Sequence, residues 1–292
     1  MKIAIYGKPY RNELNNEISR ILQIMEKRGF KPVIYERYAR FLNQEGHLRS
    51  GYNTFNREDV AIEDYGCLLS IGGDGTLLDT VTLVRDSNVP IVGLNAGRLG
   101  FISSLAVDEL NEVLTYLEEG DYEVDKRSLL QVETSRKVFG KLNFGLNEVT
   151  IHKKDTASMI KIESKVNDEF LNSYWADGLI VSSPTGSTAY SLSCGGPILV
   201  PGSENFVITP IAPHNLNVRP VVVSNNVTLK LRADGRSDNF LLAIDSRPET
   251  IYPNEEIKIS KAPFTISLLK PKGHSFLNTM RNKLAWGFDK RN

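Results

Sequence analysis

The sequence predicts a two-part chain: an α/β domain over residues 1–124, then an antiparallel β domain over residues 125–274. Three observations carry this. Up to Glu119, short apolar runs alternate with amphipathic helical patterns, as in a parallel sheet with helices on its faces. Near residue 125 the hydrophobic period changes to two, and strand-like runs follow one another across turn residues. Within the first part, Cys67 to Val81 reads strand, turn, helix, with Gly72, Gly73 and Gly75 within four positions.

Composition narrows the classes. The chain has 292 residues, 41% of them hydrophobic, which is enough for two cored domains. Lys+Arg and Asp+Glu are both 35, so the net charge is zero, which gives no electrostatic case for nucleic acid or an anionic membrane. Two cysteines, Cys67 and Cys194, argue against a disulfide framework and a cysteine-rich zinc site. Met1 to Gly7 reads as a strand rather than a signal peptide. No apolar run is long enough to span a bilayer. A soluble, cytoplasmic protein is expected.

In chain order, Ile3–Tyr6 is the first expected strand. Asn12 to Lys27 is a helix with Leu14, Ile18, Ile21, Leu22 and Met25 on one face, stopped by Gly29. Pro32–Tyr35 is a second strand. Residues 36–60 are polar and carry little signal, with Arg49 to Arg57 reading as a loop. Cys67–Ile71 and Val89–Leu94 are further strands. Asp108 is expected to cap a helix running to Glu119, with Gly120 as its stop. In the second part the strand-like runs are Leu130–Glu133, Ile160–Ile162 with a turn at Asn167-Asp168, Gly178–Ser182, Phe206–Thr209, Pro220–Val223, Val227–Leu231, Phe240–Ile244, Glu256–Ile259 and Phe264–Leu269. Asn147-Glu148 is read as the end of a strand at Leu146. The tail, 275–292, contains a helical pattern from Ser275 to Trp286 with Phe276, Met280 and Leu284 on one face. A helix that short is marginal alone, so it is expected to pack back on the first domain.

Two segments carry chemistry. In the first, a strand delivers Gly72-Gly73-Asp74-Gly75-Thr76 to the start of a helix. Free N–H groups and the positive end of the helix dipole suit phosphate there. An acid in such a turn repels the anion unless it holds a metal or accepts a proton from an attacking hydroxyl; otherwise Asp74 is a cap in a tight turn. The turn lacks both the Walker ending and the Rossmann spacing. Asn95, past the next strand, should face the same carboxyl-end crevice as Asp74. The loop Asn95 to Phe101, with Arg98, either shapes that crevice or merely turns the chain. In the second segment, Asp177-Gly178 opens a strand, and Pro184-Thr185-Gly186-Ser187-Thr188-Ala189-Tyr190-Ser191-Leu192-Ser193 makes a turn and a short helix before Gly195-Gly196. It supplies hydroxyls and room for a ligand, or it is a crossover between sheets. The Asn147-Glu148 pair can grip two ribose hydroxyls or an adenine edge, or be a solvated strand end. Tyr190 either stacks on a base or fills the core.

Gly72 to Thr76, Asn95 to Phe101, Asn147-Glu148-Val149, Asp177-Gly178 with Pro184 to Ser193, and Pro213-His214-Asn215-Leu216 through Arg219-Pro220, in this order, closely resemble the NAD kinase family. The Gly-Gly-Asp-Gly turn alone is shared with diacylglycerol and sphingosine kinases; the Pro184 to Ser193 segment makes the match specific. The resemblance implies an N-terminal α/β domain and a C-terminal, β-sandwich-like domain, phosphoryl transfer to the 2′-hydroxyl of the adenosine ribose of NAD from ATP or polyphosphate, a divalent cation, Mg²⁺, and a homodimer or homotetramer. By the same resemblance Asp74 is the catalytic acid with Gly75 beside it. Asn147 and Glu148 contact the adenosine portion. Asp177 is a dinucleotide contact, reached in some members across a subunit interface. Thr185 and Thr188, Ala189, Tyr190, Ser191, Leu192 and Ser193 line the NAD pocket. No residue is assigned as a metal ligand. The first domain would then handle phosphate and the second read the dinucleotide. Two positions depart from the family: Asp-Gly-Gln becomes Asp245-Ser246-Arg247, and the position after Leu78, often basic, is Asp79. A lipid kinase would also contain the Asp74 turn but would not need Thr185 to Ser193. A non-catalytic dinucleotide-binding module would bind NAD without consuming ATP.

Overall fold

The computed structural model describes residues 1–9, 14–48, 51–57, 62–95, 100–103, 105–154 and 158–286, and leaves the side chains of Leu14 and Glu63 undescribed. Two compact units result: residues 1–126 with 266–292, and residues 127–265.

The first unit is α/β. Its elements are β1 (Lys2–Gly7), α1 (Leu14–Lys27), β2 (Lys31–Tyr35), α2 (Glu36–Gln44), β3 (Asn53–Phe55), β4 (Cys67–Ile71), α3 (Asp74–Val84), β5 (Ile91–Asn95), β6 (Leu105–Ala106) and α4 (Leu110–Glu119). β3, β2, β1, β4 and β5 lie side by side, all parallel. Burial on both faces explains the near-continuous apolar runs: all five residues of β4 and of β5 are buried. Ile18, Ile21, Leu22 and Met25 of α1 are fully buried in this core, as their spacing requires. Strand order reverses between β1 and β4. At such a switch point the two flanking connections leave in opposite directions and open a crevice at the carboxyl ends; the Gly72–Gly75 turn sits at that edge.

Several expectations for this unit change. The 36–60 region contains α2 and β3. Tyr38, Ala39 and Leu42 form an apolar stripe too narrow to stand out from the polar residues around it. Val107–Glu109 make one 3₁₀ turn before α4, and the Glu109 carboxylate accepts the Ala106 N–H at 2.6 Å, so Asp108 is not the cap. Gly120 ends α4 at φ 70°. Asn12 and Glu13 of the expected first helix, and Ala96, Gly97, Arg98 and Leu99 of the expected crevice loop, lie outside the described residues.

The second unit is a β sandwich. The chain continues through β7 (Tyr122–Thr134), β8 (Phe144–Gly145), β9 (Glu148–Lys153), β10 (Ile160–Val166), β11 (Glu169–Ala176), β12 (Gly178–Ser182), α5 (Tyr190–Ser193), β13 (Asn205–Ile211), β14 (Val221–Ser224), β15 (Leu229–Asp234), β16 (Phe240–Ile244), β17 (Arg247–Ile251), β18 (Glu256–Pro271) and α6 (Phe276–Leu284). One sheet runs β14-β13-β12-β9-β16-β17, antiparallel throughout. The other pairs β11, β10, β15 and the first residues of β18. Alternate residues of both sheets meet in one core that includes Val149, Ile151, Ile162, Tyr174, Phe206, Leu231, Phe240 and Ile257. Asn167 and Asp168 both take positive φ, 47° and 72°, in the two-residue turn between β10 and β11.

Here too the structure corrects details. Asn147-Glu148 does not close a strand: β8 has only two residues, and Glu148 opens β9. The runs at 256–259 and 264–269 are one strand, because Pro263 removes a ladder donor without disturbing extended backbone. In α6, Phe276, Met280 and Leu284 are half-buried and share the expected face, and this helix belongs to the first unit.

Phe240 is fully buried in the sandwich core. Phe240→Ala should therefore cost about 3–5 kcal/mol in unfolding free energy, read from urea denaturation at unchanged m-value.

Candidate active site

In the α/β unit, β4 ends at Ile71 and Gly73 caps the N-terminus of α3, so Asp74 is the first helical residue. Its carboxylate reaches back to the segment leading into β6. Oδ2 accepts the Phe101 N–H at 2.9 Å; Oδ1 accepts those of Ile102 at 3.2 Å and Ser103 at 2.8 Å. Asp74 is thus a clamp on residues 101–103, not a helix cap. A Cβ at Gly100 would sit 1.8 Å from Asp74 Oδ1, so a side chain there would evict the carboxylate. A carboxylate offers about four lone-pair positions, and three N–H groups of the described residues use three of them here. At the start of α3, Thr76 and Leu77 donate to the Gly73 carbonyl, which leaves the N–H groups of Asp74 and Gly75 ahead of the first intrahelical bond. Asn95, the last residue of β5, lies with its amide nitrogen 3.9 Å from where a Gly73 Cβ would be, so the two strand ends meet as the sequence implied.

Sequence reading missed Lys8. Its ammonium pairs with Asp79 at 2.9 Å and stands 4.0 Å from a Cβ position at Gly75. The acid that replaces the family's usual base at position 79 therefore draws a cation from the end of β1. The available signal was Gly7-Lys8 directly after the first strand.

In the β unit, the register Glu148↔Ser182 brings the start of β9 beside the end of β12. The Ser183 N–H donates to the Asn147 carbonyl at 2.9 Å, and the Ser183 hydroxyl donates to the Leu146 carbonyl. A Cβ at Gly186 would lie 2.1 Å from the Asn147 carbonyl oxygen, so only glycine lets the 184–188 turn approach this closely. Asn147 and Glu148 are 6% and 9% exposed, yet Asn147 Oδ1 and Glu148 Oε2 have no hydrogen-bond partner among the described residues. Buried polar atoms without partners are costly and rare. Two on adjacent residues, against a turn that needs glycine to come this close, mark a place shaped for a polar ligand. Burial, and after it the neighbouring Asp245 carboxylate, push Glu148 up to about 8.

Residues 183–204 connect β12 to β13, which are neighbours in one sheet. A tight hairpin would suffice, so this excursion is not a crossover between sheets. Its hydroxyls divide into two sets. Ser187 is buried, donating to the Pro184 carbonyl at 2.7 Å and accepting the Leu199 N–H at 2.9 Å. Ser191 is buried against the Thr209 hydroxyl at 2.8 Å. Thr185 is buried and accepts from the Arg127 guanidinium at 3.0 Å. Thr188, half-buried, donates to the Thr185 carbonyl at 3.2 Å. These four hold the turn together. Ala189 and Leu192 are half-buried, Ser193 is exposed, and Tyr190 is 40% exposed, outside the core. Burial raises the Tyr190 phenol first, and the Asp177 and Glu148 carboxylates add to it. Asp177 sits at the opposite end of β12, paired with Lys153 at 2.6 Å. The five residues of that strand, at about 3.4 Å each, keep its backbone roughly 17 Å from Ser182. The chain therefore gathers Asn147, Glu148 and the 185–188 turn, and places the Asp177 backbone at the far end of β12, with the Tyr190 phenol sensing both the Asp177 and the Glu148 carboxylates.

No group of three or more His, Cys, Asp or Glu side chains arranged to hold a metal ion occurs among the described residues. No helix among them is long and apolar enough to cross a membrane. Cys67 and Cys194 are free thiols.

Comparison with known proteins adds the family. The model for the ATP-NAD kinase N-terminal domain matches residues 3–122, and that for the ATP-NAD kinase C-terminal domain matches residues 146–270. The chain is 45% identical to an NAD kinase of Flavobacterium psychrophilum over 294 residues, covering 100% of both chains. It is 39% identical to one of Bacteroides fragilis over 291 residues, again covering 100% of both. In structure it resembles yeast NADH kinase complexed with NADH (TM-score 0.86, 19% identity, 99% of this chain and 88% of that one). It also resembles an NAD kinase from Archaeoglobus fulgidus in complex with ATP (TM-score 0.76, 22% identity, 98% and 99% covered). At these identities the structural likeness speaks for the fold.

The raised Glu148 has a consequence for stability. Its proton is held more tightly in the folded chain than in the unfolded one, so its contribution is fully present below about pH 4.5 and is lost as pH rises through about 8. Glu148→Gln, which cannot ionise, should gain stability relative to the wild type steadily between those pH values. Paired urea melts across that window measure it.

Proposed function

Because the chain belongs to the NAD kinase family, we propose that it transfers a phosphoryl group from ATP, or from another donor such as polyphosphate, to the 2′-hydroxyl of the adenosine ribose of NAD, giving NADP. The observation that carries this reading is the buried pair of unpartnered atoms, Asn147 Oδ1 and Glu148 Oε2. One atom accepts hydrogen bonds, and the other belongs to a carboxyl that burial keeps protonated near neutrality, so it can donate. Together they complement a ribose or an adenine edge, whose hydroxyl and ring-nitrogen groups both donate and accept.

The roles follow from chemistry. Phosphoryl transfer asks the protein for positioning and charge neutralisation. Asp74 accepts the hydrogen of the attacking hydroxyl and aims its oxygen. The clamp on residues 101–103 keeps the carboxylate from rotating away. The N–H groups of Asp74 and Gly75 and the Lys8 ammonium suit donor phosphate. In the β unit, Asn147 and Glu148 take the adenosine portion, Tyr190 offers an exposed ring for stacking, and Thr188, Ala189, Leu192 and Ser193 line its surroundings. Thr185 and Ser191 act through the turn they brace. With no cage of carboxylates among the described residues, a divalent cation, Mg²⁺, fits best as a partner carried on the donor's phosphates, where it would neutralise charge.

The Asp177 backbone lies at the far end of β12 from Ser182. That supports a homodimer or homotetramer in which Asp177 serves a second copy's dinucleotide. Free thiols and zero net charge support a cytoplasmic location without nucleic-acid or membrane partners.

Asp74→Asn should lower turnover about 10²–10⁴-fold in an assay coupling NADP formation to a dehydrogenase. Circular dichroism checks that the variant is folded. A folded Asp74→Asn protein with near-normal turnover would remove Asp74 from the reaction. Diacylglycerol offered in place of NAD should give no product.

A further inference from the structure

Where the family it resembles has Asp-Gly-Gln, this chain keeps Asp245 and departs at Ser246 and Arg247, and the structure gives Asp245 and Arg247 a task. β16 and β17 pair through Ile244 and Arg247, so Asp245 and Ser246 are the two turn residues, with Asp245 at φ 51°. From this tip the buried Asp245 carboxylate accepts three successive N–H groups: Leu146 at 3.0 Å on Oδ2, and Asn147 at 2.8 Å and Glu148 at 3.2 Å on Oδ1. Its own N–H donates to the Glu148 carbonyl at 2.9 Å. One turn further, Arg247 donates to the Leu142 carbonyl at 2.6 Å and to the Phe144 carbonyl, with its guanidinium 5.9 Å from the Phe144 ring centre. The Arg247 guanidinium is also 4.0 Å from Asp245 Oδ2. One hairpin therefore grips both edges of residues 142–148.

We infer that Asp245 is the positioning residue of the dinucleotide site, with Arg247 as its support: the hairpin holds Asn147 and Glu148 in the one backbone conformation that leaves Asn147 Oδ1 and Glu148 Oε2 free for NAD. This rests on the proposed NAD site. The backbone N–H groups of Asn147 and Glu148 are spent on Asp245, so their side chains must do the recognising.

The charge of Asp245 matters as well. It lies beside Glu148, and it adds to burial in holding that carboxyl protonated. Asp245 is itself pushed up by burial, against the pull of the three N–H groups and Arg247. Among the described residues, the titratable groups that interact with Glu148 are Asp245 from the turn and Tyr190 from α5, which also senses Asp177, while Arg247 stands behind Asp245. Glu148 thus donates a hydrogen bond near neutral pH and loses that ability as pH rises.

Steady-state assays of the full chain with NAD and ATP test this. Asp245→Asn keeps the shape, turns a donor toward the Leu146 N–H and removes the charge. It should raise KM for NAD on the order of 10-fold to 100-fold, leave KM for ATP within about twofold, and move the alkaline limb of kcat/KM for NAD to lower pH. Glu148→Gln should flatten that limb. A folded Asp245→Asn protein with wild-type KM for NAD and an unmoved limb overturns the inference. If Asp245→Asn does not fold, Arg247→Gln, which restores the family's residue and removes both carbonyl bonds, decides: a raised KM for NAD with unchanged KM for ATP supports the inference, and unchanged constants overturn it. Failure of the underlying site reading looks different, because Glu148→Ala would then leave the calorimetric affinity for NAD unchanged while the wild type binds it.

Discussion

In each unit a carboxylate accepts three successive backbone N–H groups, and the candidate chemistry of that unit depends on it. Asp74 takes the N–H groups of 101–103, and Asp245 takes those of 146–148. Segments that leave a strand without entering another have backbone donors to satisfy, and burial makes unsatisfied ones expensive. A single carboxyl side chain meets three of them at once. Each clamp also fixes the carboxylate itself. In one unit the fixed carboxylate is the proposed reacting group; in the other it is the support of the recognising pair.

The same economy explains what is left over. Once Asp245 has taken the main-chain donors of Asn147 and Glu148, and Ser183 has taken the Asn147 carbonyl, the side chains carry the remaining hydrogen-bonding capacity. Leaving a buried amide oxygen and a carboxyl oxygen without partners lowers stability. Such a cost persists where the gap is filled by something else. The raised Glu148 reports the same condition: a carboxyl removed from water, with another acid for its neighbour.

Much of this was legible before the coordinates. The strand–glycine–acid–helix stretch placed Asp74 correctly, because strand and helix periodicities are local and glycine clusters mark turns. The buried face of α1 was legible for the same reason. The region of α2 and β3 was not, since its apolar stripe is short and its neighbours are polar. Asn147-Glu148 was read at the wrong end of a strand: two residues of β8 and the first of β9 look like one run until pairing separates them. Ser187 and Ser191 looked like ligand hydroxyls, but each is consumed by a neighbour distant in sequence, Leu199 and Thr209 respectively.

The sequence by itself determined the α/β-then-β order, the two glycine-rich segments and the family, because these live in periods and spacings within a few residues. Only the tertiary structure decided which groups have capacity to spare. It showed that Asp74 accepts three N–H groups of residues 101–103, that Lys8 pairs with Asp79 beside the turn, and that the Asp177 backbone lies at the far end of β12 from Ser182. It also showed that Asp245 and Arg247, nearly a hundred residues away, hold the segment containing Asn147 and Glu148. Hydrogen-bond satisfaction is a balance struck among residues far apart in the chain, so no local pattern records it.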